Sequence, residues 1–306
     1  MRRICLFLAS LVLLLLVIAL YGFVEARRDP LVRYAAVPLA DWPVGARPVR
    51  ALLISDVHFG NATMGSARLA RIIDQAMALK PDLILLAGDY IAGHDAETAR
   101  LAAAPLAAQL ARLHAPLGVV AVLGNHDHWT DAATVRRTLM AANISVVSNG
   151  AVARGPLVIG GVDDQLSGHD DIPATLVAMG KLSGAKILLA HTPDIARALR
   201  RLTEGNTTTT PRIVTKVDPQ IVFAGHTHCG QIVLPWLGPI KTVIDSREKY
   251  LCGPSWRGAD RILVTGGVGT SVLPMRIGAP PDMWLVTLGP RDAAPAPRSQ
   301  VSRARS

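Results

Sequence analysis

Ala51-Leu52-Leu53-Ile54-Ser55-Asp56-Val57-His58 decides the architecture of this chain. A short unbroken apolar run reads as a strand buried on both faces, and Ala51–Ser55 is such a run. It stops at an aspartate and a histidine, residue types that bind metals. The same design recurs along the sequence. Leu83–Ala87 leads into Gly88-Asp89, and Val119–Leu123 into Gly124-Asn125-His126-Asp127. Ile187–Ala190 leads into His191, and Ile221–Ala224 into Gly225-His226-Thr227-His228. Helical spacing fills much of the space between. It covers Ser66–Leu79, with Ser66 as N-cap and Pro81 just past the end. It covers Ala96–Leu113, which Pro105 would kink or split, and Thr130–Ala142, with Thr130 as cap. Ile144–Val147, Leu157–Ile159, Ile262–Thr265 and Trp284–Leu288 supply further short strands. Strands alternating with helices predict an α/β layered fold. Ligands of open α/β sheets gather beyond the carboxyl ends of the strands, so most of these polar clusters are expected on one rim.

Outside this core the chain changes character. Ile4 to Val24 is almost continuously apolar, with arginines on both sides. About 20 apolar residues cross a bilayer as a helix, so residues 1–25 read as a transmembrane anchor. A cleaved secretory signal is the alternative, with Val24-Glu25-Ala26 as its cleavage site. Flanking positive charge on both sides leaves orientation open. Residues 26–48, with Pro30, Pro38, Pro43 and Pro48, read as a linker. The globular domain is expected over 49–288, with a disordered tail, rich in Pro, Ala, Arg and Ser, over 289–306.

The formal charge of +9 over 306 residues favours a phosphate-rich partner without choosing among membrane, nucleotide and nucleic acid. No basic stripe interleaved with aromatics is present, so nucleic acid is not the expected partner. Cys5, Cys229 and Cys252 are odd in number and widely spaced, which does not suggest a disulfide framework.

Singly, each polar cluster is ordinary: an aspartate after a strand caps a turn, and a loop histidine is exposed. Together they place carboxylate, amide or imidazole after apolar strands in separate segments. That donor mixture suits Mn, Fe or Zn. A pair of divalent ions so held can activate water and clamp phosphoryl oxygens. One carboxylate must then lie between the ions, and Asp89 is the expected bridge.

The blocks Asp56-x-His58, Gly88-Asp89, Gly124-Asn125-His126-Asp127, His191 and Gly225-His226-Thr227-His228 resemble the signature of the calcineurin-like metallophosphoesterases. The resemblance runs from about Val49 to Leu288. It implies a four-layered αββα sandwich of two mixed β-sheets. It also implies that Asp56, His58, Asp89 and His228 hold one ion, and that Asp89, Asn125, His191 and His226 hold the other. His126 would protonate the leaving group, with Asp127 orienting its ring. His191-Thr192-Pro193-Asp194, Gly225-His226-Thr227-His228-Cys229-Gly230-Gln231 and the stretch from Gly266-Gly267-Val268-Gly269 through Arg276 to Pro281 resemble a membrane-anchored bacterial subgroup. Some of its members are UDP-2,3-diacylglucosamine hydrolases of lipid A biosynthesis. This implies a lipid-linked nucleotide or other phosphoester as substrate, at the bacterial inner membrane. Cys229 stands where many relatives have glycine, and is expected to be a small packed residue. Thr203–Val217 looks longer than the usual connection, so substrate contacts are not carried over there.

Arg276 is expected either on a substrate phosphate or in a surface salt bridge. His94, His169 and Asp170 are expected near the rim. Trp236 and Leu237 form an apolar lip near the membrane or belong to the core. A hydrolase of soluble esters and a non-catalytic scaffold are the competing readings. The scaffold predicts missing ligands, and none is missing.

Overall fold

The computed structural model describes residues 2–204, 217–243, 250–257 and 260–290. The apolar runs are continuous because each strand is covered on both faces. One six-stranded sheet takes β1 (Leu31–Leu39), β2 (Val49–Ile54), β3 (Leu83–Ala87), β4 (Val119–Val122), β5 (Ser145–Val146) and β14 (Asp282–Pro290), in the order β1-β14-β2-β3-β4-β5. The second takes β6 (Gly150–Arg154), β7 (Leu157–Gly161), β8 (Ala185–Leu189), β9 (Val222–Ala224), β12 (Gly253–Arg257) and β13 (Asp260–Val264), in the order β12-β13-β9-β8-β7-β6. A short hairpin joins β10 (Val233–Leu234) to β11 (Gly238–Pro239). Both sheets are mixed. β2 to β5 run parallel, as do β7, β8, β9 and β13, while β14 opposes β2 and β6 opposes β7.

Successive side chains of a strand point to opposite faces, and this sorts the core into layers. Leu83, Leu85 and Ala87 of β3 pack with Ile187, Leu189 and Phe223 of the other sheet. Ile84 and Leu86 point the other way, onto the helices α2 (Ser66–Ala78), α3 (Ala96–Leu110) and α4 (Asn125–Ala141). Leu188 and Val222 meet α5 (Ile172–Gly180) and α6 (Ile195–Glu204) on the far side. The result is helix, sheet, sheet, helix, as the sequence implies.

Several local expectations change. β1 lies where an irregular linker is expected. Its prolines mislead because β1 is an edge strand, where a missing N–H at Pro38 is tolerated. β1 pairs in parallel with β14, and Arg33 Nε donates to Asp282 Oδ2 at 2.6 Å. α3 continues through Pro105, which faces solvent. Gly65, not Ser66, is the N-cap of α2. α4 starts at Asn125 and kinks at Asp131, whose side chain caps the second segment by accepting from Thr134 N at 3.1 Å. α5 and α6 carry no expectation from the sequence; Asp171 caps α5 by accepting from Ala174 N at 2.8 Å. The low-complexity patch Thr207–Thr210 and the tail from Arg291 lie outside the described residues.

The remaining helix, α1 (Arg2–Ala26), is 25 residues of mean hydropathy 3.0 over its best window, long and apolar enough to cross a membrane. That window makes no contact that buries it, but the helix end is docked on the domain. Gly22 O accepts from Arg276 N at 2.9 Å, and a Cβ at Gly22 would stand 3.0 Å from Met275 Cβ. The buried Arg68 guanidinium fixes the chain that follows by donating to Arg28 O at 3.0 Å and Val268 O at 2.8 Å.

Leu85 is fully buried between the sheets, whereas Leu101 on α3 is 63% exposed. Leu85→Ala is expected to cost about 3 kcal/mol of unfolding free energy by leaving a cavity, and Leu101→Ala under about 1 kcal/mol. Denaturant melts of both variants in detergent check this; equal losses would contradict the inter-sheet core.

Candidate metal centre

The parallel strands β2, β3 and β4 end at one edge of their sheet, and the turns that follow continue the ladder. Asp56 N donates to Gly88 O, His58 N to Asp89 O, each at 3.0 Å, and Phe59 N to Tyr90 O at 2.8 Å. Side chains then brace one sheet against the other. His226 N donates to Asp56 Oδ2 at 3.0 Å, and His191 Nδ1 contacts Ala87 O at 2.7 Å. That second bond puts the proton of His191 on Nδ1 and turns Nε2 into the cluster.

The backbone at this rim is strained. Asp56, His58, Asp89, His226 and His228 all have positive φ, between 47° and 70°. Side-chain-bearing residues in this left-handed region cost of order 1–3 kcal/mol each and persist only where surrounding structure imposes them. They cluster here on donor residues. Two glycines make the close approach possible. A Cβ at Gly225 would land in Ser55 and Asp56, and one at Gly124 would land in the Asp89 carboxylate.

The donors converge. Asp56, His58 and His228 form one group, and Asp89, His191 and His226 another, each with ligand atoms within 4.8 Å of one another. Asp89 Oδ2 stands 3.5 Å from His58 Nε2 and 3.2 Å from His191 Nε2, so it touches both groups. Asn125 Oδ1 lies 3.1 Å from His191 Nε2. Nitrogens face nitrogens: His58 Nε2 and His228 Nε2 are 3.2 Å apart, as are His226 Nδ1 and His191 Nε2. Asp56 Oδ1 is buried without a hydrogen-bond donor, 3.4 Å from His228 Nε2. Nitrogens this close share either a hydrogen or a cation, and the buried Asp56 oxygen has no donor at all. The donor set fits a divalent metal.

Electrostatics agree. Burial pushes His58 down to about 3, and burial with His191 nearby pushes His226 down to about 4. Burial also holds His228 well below the usual histidine range. These are neutral imidazoles, the form that ligates metal. His191 differs: burial opposes its charge, but Asp89 and Asp56 overcome that and raise it to about 10. Burial, with Asp89 adding, raises Asp56 to about 6 despite the opposing pull of His191. The carboxylates thus draw a proton onto His191 where they would otherwise face a metal ion's charge.

Every expected ligand is in the cluster, and His126 stands at its edge. Its ring centroid is 4.8 Å from that of His58, and its Nε2 is 3.4 Å from Ser271 Oγ. Asp127 does not orient that ring. Its carboxylate accepts from the backbone N–H of Gly124, Asp89 and Tyr90 at 2.8–2.9 Å, holding the turns after β3 and β4 together. Asp127 is a positioning residue for Asp89. Arg276 reaches neither a substrate phosphate nor the surface. It is fully buried and donates to the carbonyls of Gly266, Gly269 and Ala279 at 2.6–3.0 Å, beneath His228. The carbonyl-rich loop that needs a fixed cation cannot be seen in the sequence.

Cys229 is not simply a packed small residue. It is disulfide-bonded to Cys252 with a Cα–Cα distance of 4.8 Å, and so ties the residue after His228 to the 250–252 segment. Thr227 Oγ1 donates to Leu251 O at 2.6 Å beside it. His94 lies 5.0 Å from His126 between ring centroids, so it belongs to the site wall. His169 instead stacks on His128 at 4.1 Å. Trp236 and Leu237 are not core: they are 102% and 80% exposed at the hairpin tip. Gln231 closes the Gly225–Gln231 motif, but the sequence attaches no role to it. Its side chain holds the 271–273 segment through Ser271 N, Ser271 O and Leu273 O at 2.8–3.0 Å.

Comparison with known proteins places this geometry. The family model for calcineurin-like phosphoesterases matches residues 49–230. The Bacillus subtilis metallophosphoesterase YkuE is 36% identical over 217 residues, 68% of each chain. A zebrafish transmembrane protein with metallophosphoesterase domain is 29% identical over 290 residues, 89% of this chain. This chain spans only 60% of that relative's length. Escherichia coli phosphodiesterase YaeI is 29% identical over 262 residues, 82% of this chain and 86% of its own. With the family motifs folded into one buried donor cluster, the chain belongs to the calcineurin-like phosphoesterases.

Proposed function

We propose that this chain is a membrane-anchored hydrolase that cuts phosphoester or pyrophosphate bonds with two divalent metal ions. The observation that carries the reading is the meeting of two donor groups at Asp89. Asp56, His58, Asp89 and His228 hold one ion; Asp89, Asn125, His191 and His226 hold the other. Their mixed nitrogen and oxygen character favours Mn, Fe or Zn. When bound, the ions supply electrophilic charge for the phosphoryl oxygens and lower the pKa of water at the site.

The chain's own groups do the rest. His126 lies beside the cluster, half-exposed on the cavity that a substrate enters. It donates the proton that the departing oxygen needs. Burial holds its pKa below the usual histidine range, with Asp89 only partly opposing; a substrate's negative charge acts in the other direction and brings it back toward the working pH. Asp127 keeps Asp89 in its left-handed turn. Arg276 keeps the loop under His228 in place. The length and apolarity of α1 support the anchor, and the similarity to the phosphodiesterase YaeI supports a phosphodiester substrate. Within this reading UDP-2,3-diacylglucosamine is the finer candidate, acted on at a bacterial inner membrane. Soluble esters are the competing substrates. The complete ligand set weighs against a scaffold.

The test is metal-dependent turnover by the full chain in detergent, with UDP-2,3-diacylglucosamine and bis(p-nitrophenyl) phosphate assayed in parallel. Activity that survives exhaustive chelation would end the proposal. Asp89→Ala is expected to lose both activity and bound metal, read by elemental analysis, because two sites share that carboxylate. His126→Ala is expected to keep its metal while kcat falls about 10²- to 10³-fold, the range for a lost general acid. Metal loss in His126→Ala equal to that in Asp89→Ala would make His126 a ligand instead.

A further inference from the structure

Two cavities open on the cluster from either side of His126. The smaller, about 250 Å³, has a mixed lining: Asn61, His94 and Thr270 stand beside Ala62, Ala92 and Pro274. The larger, about 540 Å³, has Asp89, Asn125 and His228 at one end. Its other walls include Trp129, Leu166, Ile240, Val243, Val272 and Leu273. The segment Ser271–Leu273 borders both. A substrate that sits on the cluster therefore meets a small recess of mixed character on one side and a larger, mainly apolar one on the other.

The apolar cavity continues into exposed apolar surface. Val272 is 91% exposed and Ile240 66%, and Trp236 and Leu237 stand out on the neighbouring hairpin tip. Contiguous apolar surface of this kind marks a site that something covers. What covers it is indicated by its attachment. Val233 N of the hairpin donates to Ile277 O at 2.8 Å, and Arg276 N donates to Gly22 O of α1 at 2.9 Å. The cavity wall, the hairpin and the end of the anchor helix are one hydrogen-bonded unit.

We propose that the larger cavity seats the hydrocarbon chain of an amphiphilic phosphoester, entering from the lipid surface beside α1. This rests on the anchored-hydrolase reading and adds the substrate class. A small polar ester would gain little from Trp129, Leu166 and Ile240, whereas an alkyl chain buries its methylenes against them. The cavity lies within the range of about 300–1,000 Å³ that holds a small ligand. The smaller recess takes the substituent on the other side of the phosphorus.

The experiment measures binding of butyl, octyl and dodecyl phosphate to the metal-loaded full chain in one detergent, by calorimetry. Dodecyl phosphate is expected to bind at least about tenfold more tightly than butyl phosphate, since eight more methylenes are available for burial. Val272→Asp and Ile240→Asp, at exposed positions that folding does not depend on, are each expected to bring that ratio close to one. Equal affinities across the series overturn the proposal. So does a chain-length effect that survives in both variants, because it would come from the micelle. Binding does not require turnover, so failure to hydrolyse both UDP-2,3-diacylglucosamine and bis(p-nitrophenyl) phosphate sinks the hydrolase reading separately.

Discussion

The Asp56 carboxylate is the interaction on which the centre depends. One oxygen accepts from His226 N, which belongs to the opposite sheet, and the other is presented to His228 without a donor of its own. Together with the contact of His191 Nδ1 on Ala87 O, this side chain closes the gap between the two rims, and it contributes to the buried negative charge that calls for a cation. The inter-sheet core below, with Leu85 against Ile187 and Phe223, sets the distance over which that closure works. If the layers shifted, donors drawn from separate strands would stop sharing one point.

The layered fold and the donor residues were legible because both depend on local pattern. A buried parallel strand must be apolar throughout, and a ligand at its end must be polar, so the junction is sharp in the sequence. β1 was not legible: its prolines read as a linker, and only its position at a sheet edge makes Pro38 acceptable. Arg276 and Asp127 were misread for a related reason. Both satisfy main-chain groups, carbonyls in one case and N–H groups in the other. Main-chain groups carry no sequence signature. The Cys229–Cys252 bridge was hidden by the odd cysteine count, since Cys5 lies on α1 and takes no part.

The cluster and its surroundings have opposite chemical character. Carboxylates and imidazoles are buried at the centre, while tryptophan, leucine, isoleucine and valine are exposed around its mouth. Both run against ordinary partitioning, in which charge stays wet and large apolar groups stay dry. In the proposed reading a cation answers the first departure and a lipid surface the second. Gln231 and the disulfide hold the two regions in register, one by gripping the 271–273 segment and the other by pinning the chain beside His228.

The left-handed conformations of Asp56, His58, Asp89, His226 and His228 limit what engineering can do with this protein. The usual remedy for such a residue is glycine, which relaxes the backbone but would delete the side chain that needs the odd geometry. Thermostabilisation by idealising the backbone therefore has to stop at the rim and draw its gains from the helices and the sheet interior. Any variant library that treats these positions as ordinary turns would select for sturdier molecules that have been disarmed.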